Sequence, residues 1–196
     1  MFFNYADSIA DHVIVETVIQ EIGLPCFIKP AQTGSSIGIS KVTEKKRIIP
    51  AVKMASIYDN QIIAEKAVEN SIEYEIAFIG NRNKKFSIPG TIDYNDRFYT
   101  TRAKYSEEQT KLRVAVELEG ELKETIYKTA KTMIELFTVK DLGRIDFLYD
   151  KNNDLLYWNE INTIPGFTEK SMFPFLWKEE GLEFKELIKY ILNDGI

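Results

Sequence analysis

Apolar residues recur along this chain in two rhythms, and each change of rhythm marks a new element. Over residues 5–22, Ile9, Val13, Val18, Ile19 and Ile22 keep helical spacing, and Gly23 follows as a C-cap, which predicts an amphipathic helix. LPCFIK (24–29) reads as a buried strand, PAQTGSSIG (30–38) as a small-residue loop, and IGISKV (37–42) alternates as a strand does. Residues 43–59 return to helical spacing around Pro50. A proline in a helix interior costs about 3 kcal/mol, so a helix should start or kink there. QIIAEK (61–66), EYEIAFIG (73–80) and KKFSIPGTI (84–92) read as strands, with a turn at Gly80-Asn81. Residues 93–119 are polar and hold no period, the mark of a long loop that is either functional or disordered. GELKETIYKTAKTMIELF (120–137) is the clearest helix. GRIDFLYDKNNDLLYWNEINTIPGFT (143–168) opens as a hairpin closed by KNND, and 171–180 and 183–193 look helical. Hairpins and antiparallel strands with helices grouped beside them make an α+β pattern, not a regular βαβ alternation.

Composition narrows the class without choosing a function. The chain has 196 residues, room for one domain or two small ones, with 44% hydrophobic and 28% charged residues. A net charge of -5 argues against a sequence-independent nucleic-acid binder, which needs a basic face. The single cysteine, Cys26, cannot form an internal disulfide, which suits a reducing, cytoplasmic setting. MFFNYADSIADHV lacks the basic and apolar regions of a signal peptide, and no apolar run approaches the roughly 20 residues of a membrane helix. One histidine, His12, leaves no basis for a His-based triad or a multi-His zinc site.

Charged residues inside the apolar hairpin carry the first chemical signal. Side chains alternate faces along a strand, so Arg144 and Asp146 share one face, and so do Glu160 and Asn162. If the two faces coincide, one cation and three oxygen ligands converge. Isolated carboxylates buried there would cost on the order of several kcal/mol each. A divalent ion removes that cost. Two carboxylates and an amide oxygen, without His or Cys, are hard ligands that suit magnesium or manganese, with substrate phosphates in the remaining positions. Arg144 beside the metal would neutralise a transferring phosphoryl group. The same spacing also fits the solvated face of an edge hairpin.

Three further stretches carry weaker signals. In FIKPAQTGSSIGISKV (27–42), a lysine at a strand end precedes a small-residue loop that could wrap a phosphate. It is not a Walker motif, and Gly34-Ser35-Ser36 is more often a plain turn than an anion site. AEKAVEN (64–70) followed by Glu73 could meet an adenine edge and ribose hydroxyls, or be a charged strand end. FYTTRAKY (98–105) could close as a lid, or be a solvated loop.

Taken in order, KPAQTGSSIGISKV, EK followed by EYEIA, FY with AKY, GRIDF, and NEINTIPGFT running on into SMFP resemble the ATP-grasp superfamily. Within it they are similar to D-alanine–D-alanine ligases, from residue 24 to the C-terminus. The most specific piece is a strand ending in ExN followed by an N-T-x-P-G-F/M-T loop. The resemblance implies an α+β ATP-grasp fold of mostly antiparallel sheets with helices packed beside them, and a nucleotide held between two sub-lobes. Residues 1–23 would be a helical segment, a remnant of a preceding region. Residues 24–92 would form the small lobe, and 93–196 the lid loop and the C-terminal lobe with its metal site.

The resemblance also implies roles. Lys29, with Ser36, would contact the nucleotide phosphates, and Lys104 the outer ones. Glu65 and the backbone at Lys66 and Val68 would recognise adenine, Glu73 would hold the ribose, and Phe98 and Leu148 would pack near the base. Asp146, Glu160 and Asn162 would hold two Mg2+ ions, or Mn2+, with Glu160 bridging. Arg144 and the N–H of Gly166 would stabilise a tetrahedral intermediate. Ser35 and Tyr105 would join a network near the first D-alanine, and Ser171 would receive the carboxylate of the second. Tyr105 and Met172 look like the dipeptide-forming branch, whereas relatives making D-alanyl-D-lactate or D-alanyl-D-serine differ around them. The implied reaction phosphorylates one D-alanine with ATP and lets the amine of a second attack the acyl phosphate, in the bacterial cytoplasm, for peptidoglycan synthesis.

The chain departs from that pattern in places. Full-length relatives carry another domain before the KP loop, with a glutamate near the first D-alanine and a further phosphate-binding lysine. The chain is thus expected to be the C-terminal part of a ligase, needing that domain or a second copy to complete its site. Thr100-Thr101-Arg102 and Glu169-Lys170 also differ from the usual residues. A nucleotide-binding module without ligase activity, an incomplete product that self-associates, and an ATP-grasp ligase for another substrate pair remain alternatives.

Overall fold

The computed structural model describes residues 1–5, 9–81, 83–94, 110–113 and 115–194. They form two compact units, one comprising Met1–Val68 and the other the described residues from Glu69 onward. The division falls after Val68 rather than after residue 92, because the strand beginning at Ile72 pairs into the second unit's sheet.

The first unit contains β1 (Phe2–Asn4), α1 (Asp11–Glu21), β2 (Cys26–Pro30), β3 (Ser40–Val42), α2 (Ile48–Ala55) and β4 (Gln61–Lys66). The strands form an antiparallel sheet in the order β1-β4-β2-β3. Alternate residues Cys26 and Ile28 of β2 and Ile62 and Ala64 of β4 are buried with Ile14 and Val18 of α1 and Ile48 and Val52 of α2. Both helices therefore cover one face of the sheet. Gly23 (φ +77) ends α1 as expected, its N–H donating to the Val18 carbonyl at 3.0 Å. Helix α1 starts at Asp11 rather than near residue 5, and ahead of it Phe2–Asn4 is a strand pairing with Gln61–Ile63, with Phe3 in the same core. Residues 1–4 and 11–21 are built into this unit. Helix α2 begins two residues before Pro50, which therefore sits in the first turn, where its missing N–H has no intrahelical partner to lose.

The second unit contains β5 (Ile72–Ile79), β6 (Lys85–Phe86), β7 (Gly90–Tyr94), β8 (Thr110–Arg113), α3 (Gly120–Leu136), β9 (Leu142–Asp150), β10 (Leu155–Asn162), α4 (Met172–Glu179) and α5 (Phe184–Asp194). Its antiparallel sheet runs β10-β9-β5-β7-β8, with β6 also on β5. Two expectations change. The run 84–92 is two strands, because the Ser87 hydroxyl takes the Ala77 N–H at 3.0 Å in place of a ladder carbonyl. The stretch 93–119 is not all loop, since Thr110–Arg113 pairs with β7.

One face of this sheet buries Tyr74, Ile76 and Phe78 of β5 and Ile145 and Phe147 of β9 against Ile126, Ala130 and Ile134, spaced four apart on α3. On the other face, Ala77 and Ile79 pack under Met172, Phe173 and Leu176 of α4 and Leu187 of α5. Further along that second face β5 carries Glu75 and Glu73, so the apolar cover gives way to acids.

Gly143 marks the tightest approach in the core. It lies opposite Phe78, and a Cβ there would sit 2.6 Å from Phe78 Cε1 and 3.2 Å from the Asn162 carbonyl oxygen. Phe78 is fully buried and has nowhere to withdraw. Gly143→Ala should therefore cost about 1–3 kcal/mol by overpacking. Urea unfolding of the variant checks this, and an unchanged midpoint would mean that the ring repacks without cost.

Candidate active site

The polar face of the second sheet is set by alternation and register. In LGRIDFLYD the apolar Ile145 and Phe147 turn toward α3, so Arg144, Asp146 and Leu148 turn away from it. On one side β5 places Glu75 opposite Asp146, Ala77 opposite Arg144 and Glu73 opposite Leu148. On the other side β10 places Glu160 opposite Asp146 and Asn162 opposite Arg144.

A bulge brings the last two residues there. The β9–β10 register shifts between Trp158 and Glu160, leaving Asn159 as the extra residue. Leu156, Trp158 and then Ile161 pack on the α3 side, so the apolar spacing stretches from two to three across the bulge. In an uninterrupted strand Glu160 would follow Trp158 toward α3. The extra residue re-aims Glu160 and Asn162 onto the face of Asp146.

The side chains then converge. The Arg144 Nε lies 2.7 Å from Asp146 Oδ1, and its Nη2 donates to Asp146 Oδ2 at 2.7 Å. The same Nε lies 2.7 Å from Glu75 Oε2. The Asn162 amide nitrogen donates to both Asp146 Oδ2 and Glu160 Oε1, at 3.0 Å each. Glu75 and Asp146 are each only 2% exposed. Burial pushes the Asp146 carboxyl above its ordinary value; Arg144 pulls it down, and Glu160 adds to the rise. Carboxylate oxygens of Glu73, Glu75 and Asp146 also lie within 4.8 Å of one another. Among the described residues of this cluster, the carboxylates of Glu73, Glu75, Asp146 and Glu160 face one guanidinium, that of Arg144.

Glu75 escaped the sequence reading. The signal was present: in EYEIAF, Glu73 and Glu75 are two apart and share a face, but only the first stood where a ribose contact was expected.

In the first unit Lys29 and Glu65 come together, Nζ to Oε1 at 2.7 Å, on the sheet face away from the helices. Lys66 ends β4, and Val68 closes the unit. Ser35 (φ 54) and Ser36 (φ 59) are consecutive left-handed residues in the loop before β3. Loops of this kind turn successive backbone N–H groups toward one side.

The loop after β10 joins Gly166 to Ser171. Ser171 Oγ accepts from the Thr168 N–H at 3.1 Å and lies 2.8 Å from Thr168 Oγ1, at the N-terminal end of α4. A Cβ on Gly166 would come within 3.0 Å of Ser171 Oγ, so a larger residue would crowd that hydroxyl. Met172, the first residue of α4, is buried and packs with Ala77, Ile79 and Leu176. Phe98, Lys104 and Tyr105 lie outside the described residues.

A family model described as D-ala D-ala ligase C-terminus matches residues 1–193. The chain belongs to the D-alanine–D-alanine ligase family. Among curated members, the D-alanine--D-alanine ligase of Thermoanaerobacter sp. (strain X514) is 36% identical over 190 residues, 96% of this chain and 53% of that protein. The ligase of Clostridium novyi (strain NT) is 37% identical over 180 residues, 92% of this chain and 52% of that protein. Among solved structures, the VanG D-Ala:D-Ser ligase from Enterococcus faecalis matches with a TM-score of 0.84 at 26% identity, over 100% of this chain and 55% of that one. The D-alanyl-alanine synthetase A from Vibrio cholerae O1 biovar eltor matches with a TM-score of 0.82 at 28% identity, over 99% of this chain and 59% of that one. The chain spans about half the length of the curated D-alanine–D-alanine ligases it matches. The α+β ATP-grasp fold expected from the sequence is the fold of this family. Among the described residues, no helix is long and apolar enough to cross a membrane.

Proposed function

We propose that the chain carries the ATP- and metal-handling part of a cytoplasmic ligase that joins two D-alanine molecules into a peptidoglycan precursor. The observation that carries this reading is the convergence of Asp146, Glu160 and Asn162 beside Arg144 on one sheet face.

The donor set fits magnesium or manganese. It consists of hard oxygens, with neither imidazole nor thiolate. The Asn162 amide nitrogen bridges the Asp146 and Glu160 carboxylates, the place where a cation would offset their repulsion. Asp146, Glu160 and Asn162 would hold two ions, with Glu160 bridging, and the ions would offset charge on the phosphoryl group passing from ATP to a carboxylate.

The other residues take the roles their chemistry allows. Lys29 and Lys104 would neutralise phosphates, with Ser36 beside them. The Lys29–Glu65 pair is partly exposed, 25% and 41%, so exchanging it for phosphate and adenine contacts costs at most about 1 kcal/mol. Glu65, Lys66 and Val68 would read adenine, Glu73 the ribose, and Leu148 and Phe98 would pack on the base. Glu73 and Leu148 are register partners, which supports their acting together. Once an acyl phosphate forms, the amine of the second D-alanine attacks its carbonyl carbon. The C–N bond forms, the amine loses a proton, and phosphate leaves. Arg144 and the Gly166 N–H would donate to the oxygen that gains charge. Ser171, at the start of α4, would receive the second carboxylate, where a helix N-terminus favours an anion. Ser35 and Tyr105 would orient the first D-alanine, with remaining contacts from a further N-terminal domain or a second copy.

D-Serine as second substrate is the runner-up, favoured by the similarity to the D-Ala:D-Ser ligase. The test is D-alanine-dependent phosphate release from Mg-ATP, with the dipeptide identified by mass. We expect D-alanyl-D-alanine. A mixed dipeptide when D-serine is added would move the reading to the runner-up. Failure to bind Mg-ATP at all would sink both.

A further inference from the structure

We infer that Glu75 is a positioning residue for Arg144, a second anchor that holds the guanidinium in place independently of Asp146. The strands put it there: β5 and β9 pair with Glu75 directly opposite Asp146, so the two carboxylates flank the Arg144 side chain from neighbouring strands. Glu75 Oε2 lies 2.7 Å from Arg144 Nε, and the Glu75 side chain is 3% exposed against 14% for Arg144. A carboxylate buried to that degree is retained at a cost unless it is paired, and its ion pair here is with Arg144.

The chemistry gives the pairing a use. In the proposed ligase, on which this step rests, Asp146 has two tasks: it holds Arg144 through both carboxylate oxygens, and it donates to a divalent ion. Both tasks draw on the same lone pairs. An arginine held by Asp146 alone would loosen as the metal took its share. Glu75 sits on a different strand from Asp146, Glu160 and Asn162, and it meets Nε as an ion pair while the Nε–H itself donates to Asp146, so its attraction persists when Asp146 turns to the ion. Arg144 then keeps one position through the reaction, which matters because a group that meets developing charge must already be in place.

The test follows the guanidinium itself. The chain has six arginines, so the Nε–H signals in a 15N spectrum are few, and Arg144→Lys identifies the one from Arg144. In the parent this proton should exchange slowly with solvent. In Glu75→Gln its exchange should rise about tenfold or more, because losing a buried ion-pair partner leaves the guanidinium less firmly held against Asp146, to which the Nε–H donates, while backbone amide signals away from β5 and β9 stay in place. Glu75→Asp keeps the charge but falls one methylene short, and should give the same loss of protection; it decides the matter if the glutamine variant does not fold. Protection unchanged within twofold in the folded variant overturns the inference. Turnover supplies the second arm: kcat for D-alanine-dependent phosphate release should fall at least tenfold in Glu75→Gln, with the KM for ATP unchanged. A parent without turnover would count against the proposed function, whereas the Nε–H exchange still decides the role of Glu75.

Discussion

Glu160→Gln should lower metal-dependent ATP affinity by about 100-fold or more, since changing even an outer partner of a metal ligand costs 10–100-fold. The substitution is nearly isosteric and removes one charge. Glu160 is exposed on the edge strand β10, and its bond from Asn162 can survive to an amide oxygen. Fold stability should therefore change by no more than about 0.5 kcal/mol, the usual range for surface positions. The measurement is calorimetric titration of ATP at several magnesium concentrations, beside thermal unfolding of both proteins. A parental affinity in the variant would take Glu160 out of the metal site. Attention would then pass to Glu73, Glu75 and Asp146, whose carboxylate oxygens lie close enough among the described residues to share an ion.

Much of this site was legible because it obeys simple periods. Arg144 and Asp146, and Glu160 and Asn162, each lie two apart in strand-forming sequence, which is enough to pair them on a face. The KNND turn fixed the hairpin, and helix α3 followed from its apolar spacing. What escaped did so for physical reasons. Phe2–Asn4 is three residues long, too short to show alternation, and exists as a strand only because β4 offers it a partner. Thr110–Arg113 is polar and borrows its form from β7. Glu75 looked like any acid on a strand until pairing with β9 placed it against Arg144. The coincidence of the two polar faces was a condition that sequence could state but not decide. Its one trace was the irregular spacing of Leu156, Trp158 and Ile161, three where two was due.

That irregularity yields the second large effect. Deleting Asn159 should lower the magnesium-dependent part of ATP binding as much as Glu160→Gln does. With the extra residue gone, β10 can pair without interruption only if everything on one side of the deletion changes face. If the first half keeps its place, Glu160 and Asn162 turn toward α3 and Ile161 turns out. If the second half keeps its place, Leu156 and Trp158 leave the α3 side, and Trp158 loses its stacking on Phe137, with ring centroids 5.5 Å apart. Burying a large apolar side chain contributes about 1.5–3 kcal/mol, against about 1 kcal/mol for each hydrogen bond of Asn162. The apolar half should win and the acids should lose their position. The fold should weaken by about 2–4 kcal/mol, because a polar group forced toward an apolar layer lacks a partner. Asn159→Ala is the control: it keeps the residue count and hence the bulge, so ATP binding should stay within about twofold of the parent, as expected of a side chain outside the site. Binding that survives the deletion would mean that Glu160 reaches Asp146 without the bulge. Binding lost in both variants would mean that the Asn159 side chain, not its place in the count, does the work.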